Sequence, residues 1–421
     1  MNVLPQELIT LIVTNLARDE ASLKACSVVA SAWVAPCREI LFRSVTLGPR
    51  HFGEDRQGTL EVFDAIPTLK AIIVTLTISA GKSRGRDGYP PRLAIDPEHL
   101  VALLRKMTRL HTIVLERCAV EPKEDMASSL LPHCWDYDRL RLLRIAPSHQ
   151  AAHLVDIFRT MVFFRNVPVD RLELRRDYDA RGYDASSHGK YVPSHFYEML
   201  RGWRVGTFYP YDAIWKPSTP SEREIKTLVS GLLSAGVTDT IQLNNWGVQF
   251  LKSFWPVPER ENVKHFKLEV LARPSPHAAV QPEDWSLYAR LASVESVTFV
   301  FTTQTLLERF SKVLTDHALR CLPRSTRTIG FEVQIDAGYS ASPHVSLGWW
   351  TNKMEWEDLS RALERFVNLE SVRFGVTVLG EVGWREAAAL NDDMEAVVRS
   401  RLSDVVTAEK LHFVRTPLQG Q

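Results

Sequence analysis

A short apolar pattern recurs along most of the chain and predicts a series of strands. Its form is apolar-x-x-apolar-x-apolar, and the clearest copies are FRSVTL at 42, IVTLTI at 73, LHTIVL at 110, LRLLRI at 140, VDRLEL at 169, VKHFKL at 263, VESVTF at 294 and LESVRF at 369. Weaker copies are LRGWRV at 200, TDTIQL at 238, TRTIGF at 326 and AEKLHF at 408. Successive copies begin 25 to 43 residues apart, which is the size of one supersecondary unit. Each copy ends in alternating apolar and polar residues, as a strand with one buried face does.

Helical periodicity fills the intervals between the copies. The segments are 97–107, 153–164, 222–235, 285–292, 306–322, 356–367 and 393–402. A strand, a helix and a further strand about 30 residues on require a crossover connection, so neighbouring strands should be parallel. The pattern therefore predicts an irregular α/β solenoid over residues 48–421. A pair of globular α/β domains with accidental matches is the alternative.

Residues 1–47 carry a different pattern, which predicts three short helices. Pro5 can occupy the first turn of a helix that runs to about Leu16, because its missing N–H is not needed there. A second helix should run from about Ser22 to Trp33, and Pro36 should begin the third. The apolar residues of the first helix cover more than one face, whereas a helix that rests on a single core needs only one stripe. Two surfaces of this helix therefore need covering.

These residues carry a resemblance to a known family. Leu4-Pro5-x-Glu7-Leu8, followed by the remaining motif positions, resembles an F-box: Ile12, Leu16, Leu23, Cys26-Ser-Val28-Val29, Trp33 and Leu41-Phe42. The resemblance implies a three-helix motif that binds the Skp-type adaptor of SCF ubiquitin ligases, and through it cullin and RING subunits. On this interpretation the adaptor-binding residues are Leu4, Pro5, Leu8, Ile9, Ile12, Leu16, Leu23, Cys26, Val29 and Trp33, with Leu8, Ile12 and Leu16 contributing most.

The recurring pattern is similar to leucine-rich repeats, which F-box proteins often use to hold a target. The resemblance thus implies a substrate-recognition subunit with an F-box at 1–47 and a leucine-rich-repeat-like solenoid at 48–421. For binding of the unknown target protein we select Trp349 and Trp350, because adjacent residues on a strand or turn cannot easily bury both rings in one core. Tyr and Trp are also favoured anchors at protein interfaces.

Composition narrows the range of functions. The 51 Lys and Arg residues balance 50 Asp and Glu residues, so there is no general basic field for nucleic acid. The five cysteines are scattered without a CxxC pair, which disfavours a disulfide framework and indicates a reducing compartment, the cytoplasm or the nucleus. No apolar run is long enough to predict a membrane span.

No catalytic residue, metal site or cofactor is predicted. His133, Cys134, Asp136 and Asp138 are suitable metal ligands, but no second pair stands at zinc spacing. Cys118 or Cys134 could act as a nucleophile beside a histidine, but the sequence does not show that any histidine lies near either cysteine. Two other classes stay open: a protein-binding solenoid whose N-terminal helices are only a cap, and an enzyme with a pocket that the sequence does not reveal.

Overall fold

Parallel strands alternate with helices along the chain, which makes it an α/β protein. The computed structural model describes residues 4–17, 19–53, 56–81, 92–121, 139–146, 153–174, 195–210, 228–244, 263–270, 294–302, 313–336, 343–379, 384–402 and 406–415. The chain divides into two compact units, Met1–Gly206 and Thr207–Gln421. The first unit contains both the N-terminal helices and the first strands of the recurring pattern.

Three helices open the first unit: α1 (Gln6–Asn15), α2 (Glu20–Cys26) and α3 (Ser31–Leu41). The first agrees with the predicted helix, but two of the predicted boundaries are wrong. The second helix ends at Cys26, before an extended residue, Ala30. Trp33 therefore lies in α3, which begins five residues earlier than Pro36 and contains this proline in its middle.

The strands of the first unit that follow the recurring pattern pair in parallel, in the order β1-β2-β4-β6-β7. They are β1 (Ser44–Leu47), β2 (Thr75–Ser79), β4 (Thr112–Glu116), β6 (Leu140–Ala146) and β7 (Val169–Leu174). Two strands of three residues, β3 (Leu93–Ile95) and β5 (Cys118–Val120), form a separate parallel pair. Helices occupy Pro49–Phe52 (a 3₁₀ turn), Arg56–Ala65, Pro67–Lys70, Pro97–Leu104, His153–Phe164 and His195–Leu200.

The second unit repeats this arrangement, with consecutive strands as neighbours in the order β9-β10-β11-β12-β13-β14. Strand β8 (Val205–Tyr209) spans the division between the units, and its Phe208 pairs with Ile241 of β9. The other strands are β9 (Thr240–Asn244), β10 (His265–Val270), β11 (Ser296–Thr302), β12 (Thr328–Asp336), β13 (Ser371–Leu379) and β14 (Leu411–Arg415). Helices occupy 228–234, Val313–Ala318 (a π-helix), Leu319–Cys321, Pro343–Lys353, Trp356–Leu363 and Trp384–Leu402.

The predicted parallel strands are confirmed. Each copy of the recurring pattern overlaps one of the strands β1, β2, β4 and β6–β14, and the three residues at the end of each copy lie in that strand, except in the copy at 200, where only Val205 does. The predicted helices 97–107, 153–164, 356–367 and 393–402 are confirmed within a few residues, except that the last begins earlier, at Trp384. The predicted helix at 285–292 lies outside the described residues. The helix Pro343–Lys353 was not predicted.

A ladder of phenylalanines runs through the core of the second unit. Phe299, Phe331, Phe374 and Phe413 occupy one register position on β11 to β14, as the strand pairing shows. Their rings stack with centroid distances of 5.9, 5.0 and 6.3 Å along the series. The guanidinium of Arg399 lies 5.0 Å from the centroid of the Phe413 ring and covers the end of the ladder. Stacked aromatic pairs of this kind stabilise a sheet beyond their buried area.

Candidate partner-binding surfaces

The helix α1 has two apolar faces. Ile9 and Val13 are 1% exposed and lie in a core that α1 shares with α2 and α3. Leu8, Leu11 and Ile12 are spaced by three and four residues, so they form a second stripe on the same helix. They are 46%, 58% and 37% exposed. The sequence predicted that two faces of this helix need covering. In the structure the inner face is covered by α2 and α3, and the outer face is exposed.

The predicted adaptor-binding residues separate into an exposed group, a half-buried group and a buried group. Leu4, Pro5, Leu8, Ile12 and Val29 are exposed. Leu16, Cys26 and Trp33 are half-buried and pack against the three-helix core.

The buried group consists of Ile9 and Leu23, whose predicted role in adaptor binding must be corrected. Both are 1% exposed because they form the three-helix core with Val13 and Cys37. They are not available to a partner while the helices are folded, so we remove them from the candidate surface.

Two exposed apolar residues were missed by the sequence analysis. Leu11 lies in the outer stripe of α1, where its spacing from Leu8 is a signal that was available in the sequence. Val28 is 82% exposed in the turn between α2 and α3, next to Val29 at 72%. We call the exposed residues Leu4, Leu8, Leu11, Ile12, Val28 and Val29 the apolar surface of the N-terminal helices.

Local interactions hold the three helices in place. The Asp19 carboxylate caps α2 by accepting hydrogen bonds from the Ser22 N–H (3.0 Å) and the Ser22 hydroxyl (2.5 Å). These bonds hold the pKa of Asp19 below its usual value. Burial raises the pKa of the Cys37 thiol in the shared core, which keeps this group neutral. The hydroxyls of Thr10 and Thr14 bond to carbonyls one turn earlier in α1.

The two tryptophans selected for target binding lie in a helix, Pro343–Lys353, rather than on a strand or turn. Trp350 is 0% exposed, with its ring 5.8 Å from Phe301 and 5.8 Å from Trp356 between centroids. The premise of a strand or turn was therefore wrong, and Trp350 belongs to the core. The side chain of Trp349 lies outside the described residues.

An open groove of about 660 Å³ lies beside the first residues of β11 to β14. It is lined by Val294, Glu295, Ser325, Arg327, Val367, Asn368, Leu369, Glu370 and Lys410. Its charges alternate in sign from strand to strand, and three of the four are paired, one of them with Lys264 outside the lining. The Arg327–Glu370 distance is 3.5 Å, and Glu295 lies 3.7 Å from Lys264. Because most of these charges are already compensated, the groove shows no preference for a charged ligand.

Candidate chemistry is limited in the described part of the chain. Cys118 is buried, its thiol donates to the carbonyl of Glu116 at 3.0 Å, and burial raises its pKa to about 12. This thiol is therefore protonated near neutral pH and is a poor nucleophile. Within the described ranges, no three His, Cys, Asp or Glu side chains gather as a metal site. His133, Cys134, Asp136 and Asp138 lie outside these ranges.

The chain matches no model of a known protein family, and no curated protein is similar to it at a significant level. Among the helices of the described ranges, none combines the length and apolar character needed to cross a bilayer. The class that the fold defines is an α/β protein with parallel strands, preceded by three helices with an exposed apolar surface.

Proposed function

We propose that this chain is the target-recognition subunit of an SCF-type ubiquitin ligase. The three N-terminal helices act as an F-box that binds a Skp-type adaptor, and the adaptor joins the chain to cullin and RING subunits. The strands and helices that follow act as an irregular leucine-rich-repeat-like solenoid that holds a target protein in the cytoplasm or nucleus. The consecutive, parallel order of the strands supports this arrangement.

One observation carries the proposal: α1 keeps an apolar face exposed after its other face has been buried. A helix that only caps a neighbouring core should have a polar outer face. Leu8, Leu11 and Ile12 instead expose about half of their side chains. Burying the exposed part of each contributes roughly 1 kcal/mol, scaled from about 1.5–3 kcal/mol for a fully buried side chain. The apolar surface of the N-terminal helices can therefore offset much of the cost of association.

The proposed mechanism is proximity. The chain performs no chemistry of its own, since ubiquitin transfer belongs to an enzyme recruited elsewhere in the assembly. Binding the target and the adaptor on one chain raises the effective concentration of the target near that enzyme. The chain's contribution is then measured by two affinities, one for the adaptor and one for the target.

The test is co-expression of the full chain with a Skp-type adaptor, followed by size-exclusion chromatography. We expect co-elution of the wild type and loss of the complex for the double variant Leu8→Asp/Ile12→Asp, because two charges would then lie in an apolar interface. The matched control is Gln6→Asp/Thr10→Asp, which adds the same charge to exposed polar positions of the same helix. The control should still co-elute.

Three outcomes separate the alternatives. Loss of the complex in a folded Leu8→Asp/Ile12→Asp variant, with an intact control, supports the F-box. A wild type that folds but never binds the adaptor would contradict the proposal and favour a solenoid with a simple cap. Equal loss in both double variants would show that α1 tolerates no charge at all, and the outer stripe would have no special role.

A further inference from the structure

A row of hydrogen-bond donors crosses the sheet of the second unit. The strand register places six residues side by side on β9 to β14: Gln242, Lys267, Thr298, Gly330, Arg373 and His412. Each precedes or follows a core residue by one position, so the row lies on the face opposite the phenylalanine ladder. We call these six residues the donor row.

The side chains of the donor row share one chemistry. An amide N–H, an ammonium group, a hydroxyl, a guanidinium and an imidazole are all donors, and the row contains no carboxylate. Arg373 and His412 are exposed and Lys267 is half-buried. Within the described ranges, none of these three forms an ion pair, and the Arg373 guanidinium reaches only the Ser371 hydroxyl, at 3.3 Å. Lys267 and Arg373 therefore carry positive charges that no ion pair of the described residues offsets, and the carboxylates on this face, Glu269 and Glu332, stand one row further along the strands.

The buried end of the row contains an unsatisfied donor. Gln242 is 2% exposed, and its amide nitrogen Nε2 has no hydrogen-bond partner among the described residues. A buried amide without an acceptor costs free energy, and most such groups in proteins are paired. Gln242 lies directly beside Lys267 in the register. An acceptor bound at Lys267 would be well placed to satisfy this amide as well.

The middle of the row is shallow. A Cβ atom at Gly330 would lie 2.7 Å from the Thr298 hydroxyl oxygen, so the Thr298 side chain occupies the space above this glycine. Gly330 thus makes room for this side chain, and the row has no side chain of its own on β12. Lys267 and Arg373 stand three strands apart, about 14 Å from the usual strand spacing. This distance matches about four residues of an extended peptide.

The first unit shows two arginines that a carboxylate on the same face of the sheet compensates. Arg144 and Arg171 both bind Glu173, with Nε-to-carboxylate distances of 2.6 and 2.7 Å. Glu173 is 4% exposed and occupies the strand next to Arg144. A carboxylate in the fold thus neutralises these arginines, whereas in the donor row the positions beside Arg373 are Gly330 and His412.

We infer that the donor row binds an acidic, extended peptide segment. The inference rests on the proposed function only in assigning that segment to the target protein. Carboxylates of the segment would accept hydrogen bonds from Lys267 and Arg373, while its backbone crosses the shallow floor at Gly330. An acceptor near Lys267 would also pair with the orphan amide of Gln242.

The test measures binding of a dye-labelled octa-glutamate peptide to the full chain by fluorescence anisotropy at low ionic strength. Octa-glutamine and a single-stranded oligo-dT of equal length are the comparison probes. We expect binding of octa-glutamate alone, weakened by salt. The double variant Lys267→Glu/Arg373→Glu should lower the affinity by about tenfold or more, since like charges would then face each other. The control Arg361→Glu/Arg365→Glu makes the same charge change on the helical side of the sheet and should bind as the wild type does.

A second variant separates binding from folding. Gln242→Leu removes the orphan amide at similar volume, so it should fold normally and weaken the peptide about threefold, the loss of one hydrogen bond. Failure of octa-glutamate to bind, or equal binding to wild type and Lys267→Glu/Arg373→Glu, would overturn the inference. Tighter binding of oligo-dT would overturn it in favour of nucleic acid. None of these results depends on the adaptor, so they leave the F-box proposal to its own test.

Discussion

Two helices in this chain use their apolar residues differently. The helix Trp356–Leu363 has one apolar side, and that side is buried in full: Trp356, Leu359, Ala362 and Leu363. Its other side carries charged residues such as Glu357 and Arg361. The helix α1 buries Ile9 and Val13 in the same manner, but Leu8, Leu11 and Ile12 stay exposed beside them.

The difference shows where each helix finds its contacts. The indole N–H of Trp356 donates to the Thr351 carbonyl at 2.9 Å, and its ring meets Trp350 and Phe374. The apolar side of this helix is therefore buried entirely by contacts within the chain. In α1 the three-helix core is complete without the outer stripe. An apolar stripe that the fold does not use is typical of a surface that another protein covers.

The largest effect on stability should come from the helix whose contacts are all internal. Leu359 is 0% exposed. Replacing it with alanine should lower the free energy of unfolding by about 3 kcal/mol, because a cavity remains in a tight core. Denaturant unfolding followed by tryptophan fluorescence measures this. The control Arg361→Ala on the exposed side should change stability by about 0.5 kcal/mol or less, and comparable losses in both variants would contradict the one-sided description.

Leu11→Ser tests the exposed stripe at the residue that the sequence analysis missed. The adaptor affinity should fall about tenfold, which corresponds to about 1.4 kcal/mol, while unfolding of the free chain changes little because this side chain is 58% exposed. Calorimetry against the adaptor and denaturant unfolding give the two values. Val367→Ser, at an 80% exposed valine of the second unit, is the matched control and should alter neither. A loss of stability without loss of affinity would assign Leu11 to the core.

Ile9→Val should produce the reverse result on the inner face of α1. Removing one methylene from this buried side chain should lower the free energy of unfolding by about 1 kcal/mol. The adaptor affinity should stay within about twofold of the wild type, because Ile9 does not reach the outer face and the smaller residue keeps the helix intact. The same two measurements apply. A larger effect on affinity than on stability would show that the two faces of α1 are not independent.

The strands of this fold were largely predictable, since alternation of apolar and polar residues reports directly on a half-buried strand. The copies at 263, 294 and 369 show this, because their last residues lie in β10, β11 and β13. The pair of strands Leu93–Ile95 and Cys118–Val120 escaped prediction because three residues are too few to display a period. The separation of α2 from α3 was missed because Trp33 continues the helical spacing of Leu23 and Cys26, while the break depends on the extended backbone of Ala30.

The candidate sites were less predictable because exposure depends on packing. Leu8 and Ile9 are equally apolar neighbours in the sequence, and only the positions of α2 and α3 decide that Ile9 is the buried one. Trp350 entered the core because its helix packs beside β12, with the ring near Phe301. The donor row depends on the register of strands that are far apart in the sequence. No local pattern brings Lys267 and Arg373 into one row.

The smallest effect concerns the cap of α2, on which the inner face of α1 rests through Leu23. The Asp19 pKa is lowered from 3.8 by its bonds to Ser22. A lowered pKa means that the stabilisation is fully present above pH 3.8 and is lost as the pH falls through the lowered value. The variant Asp19→Asn keeps a capping oxygen that does not titrate. We expect its stability at neutral pH to be close to that of the wild type, and its further loss in acid to be smaller.

Thermal unfolding of wild type and Asp19→Asn across the acid range measures this difference, with Asp19→Ala as the control that removes the cap at every pH. Identical acid dependence in wild type and Asp19→Asn would show that Asp19 does not contribute through its charge. If the prediction holds, Asp19→Ala should also weaken adaptor binding slightly without altering any exposed residue of α1. That result would distinguish the two faces of α1 by function, because the inner face would act on the adaptor only by keeping the outer stripe in position.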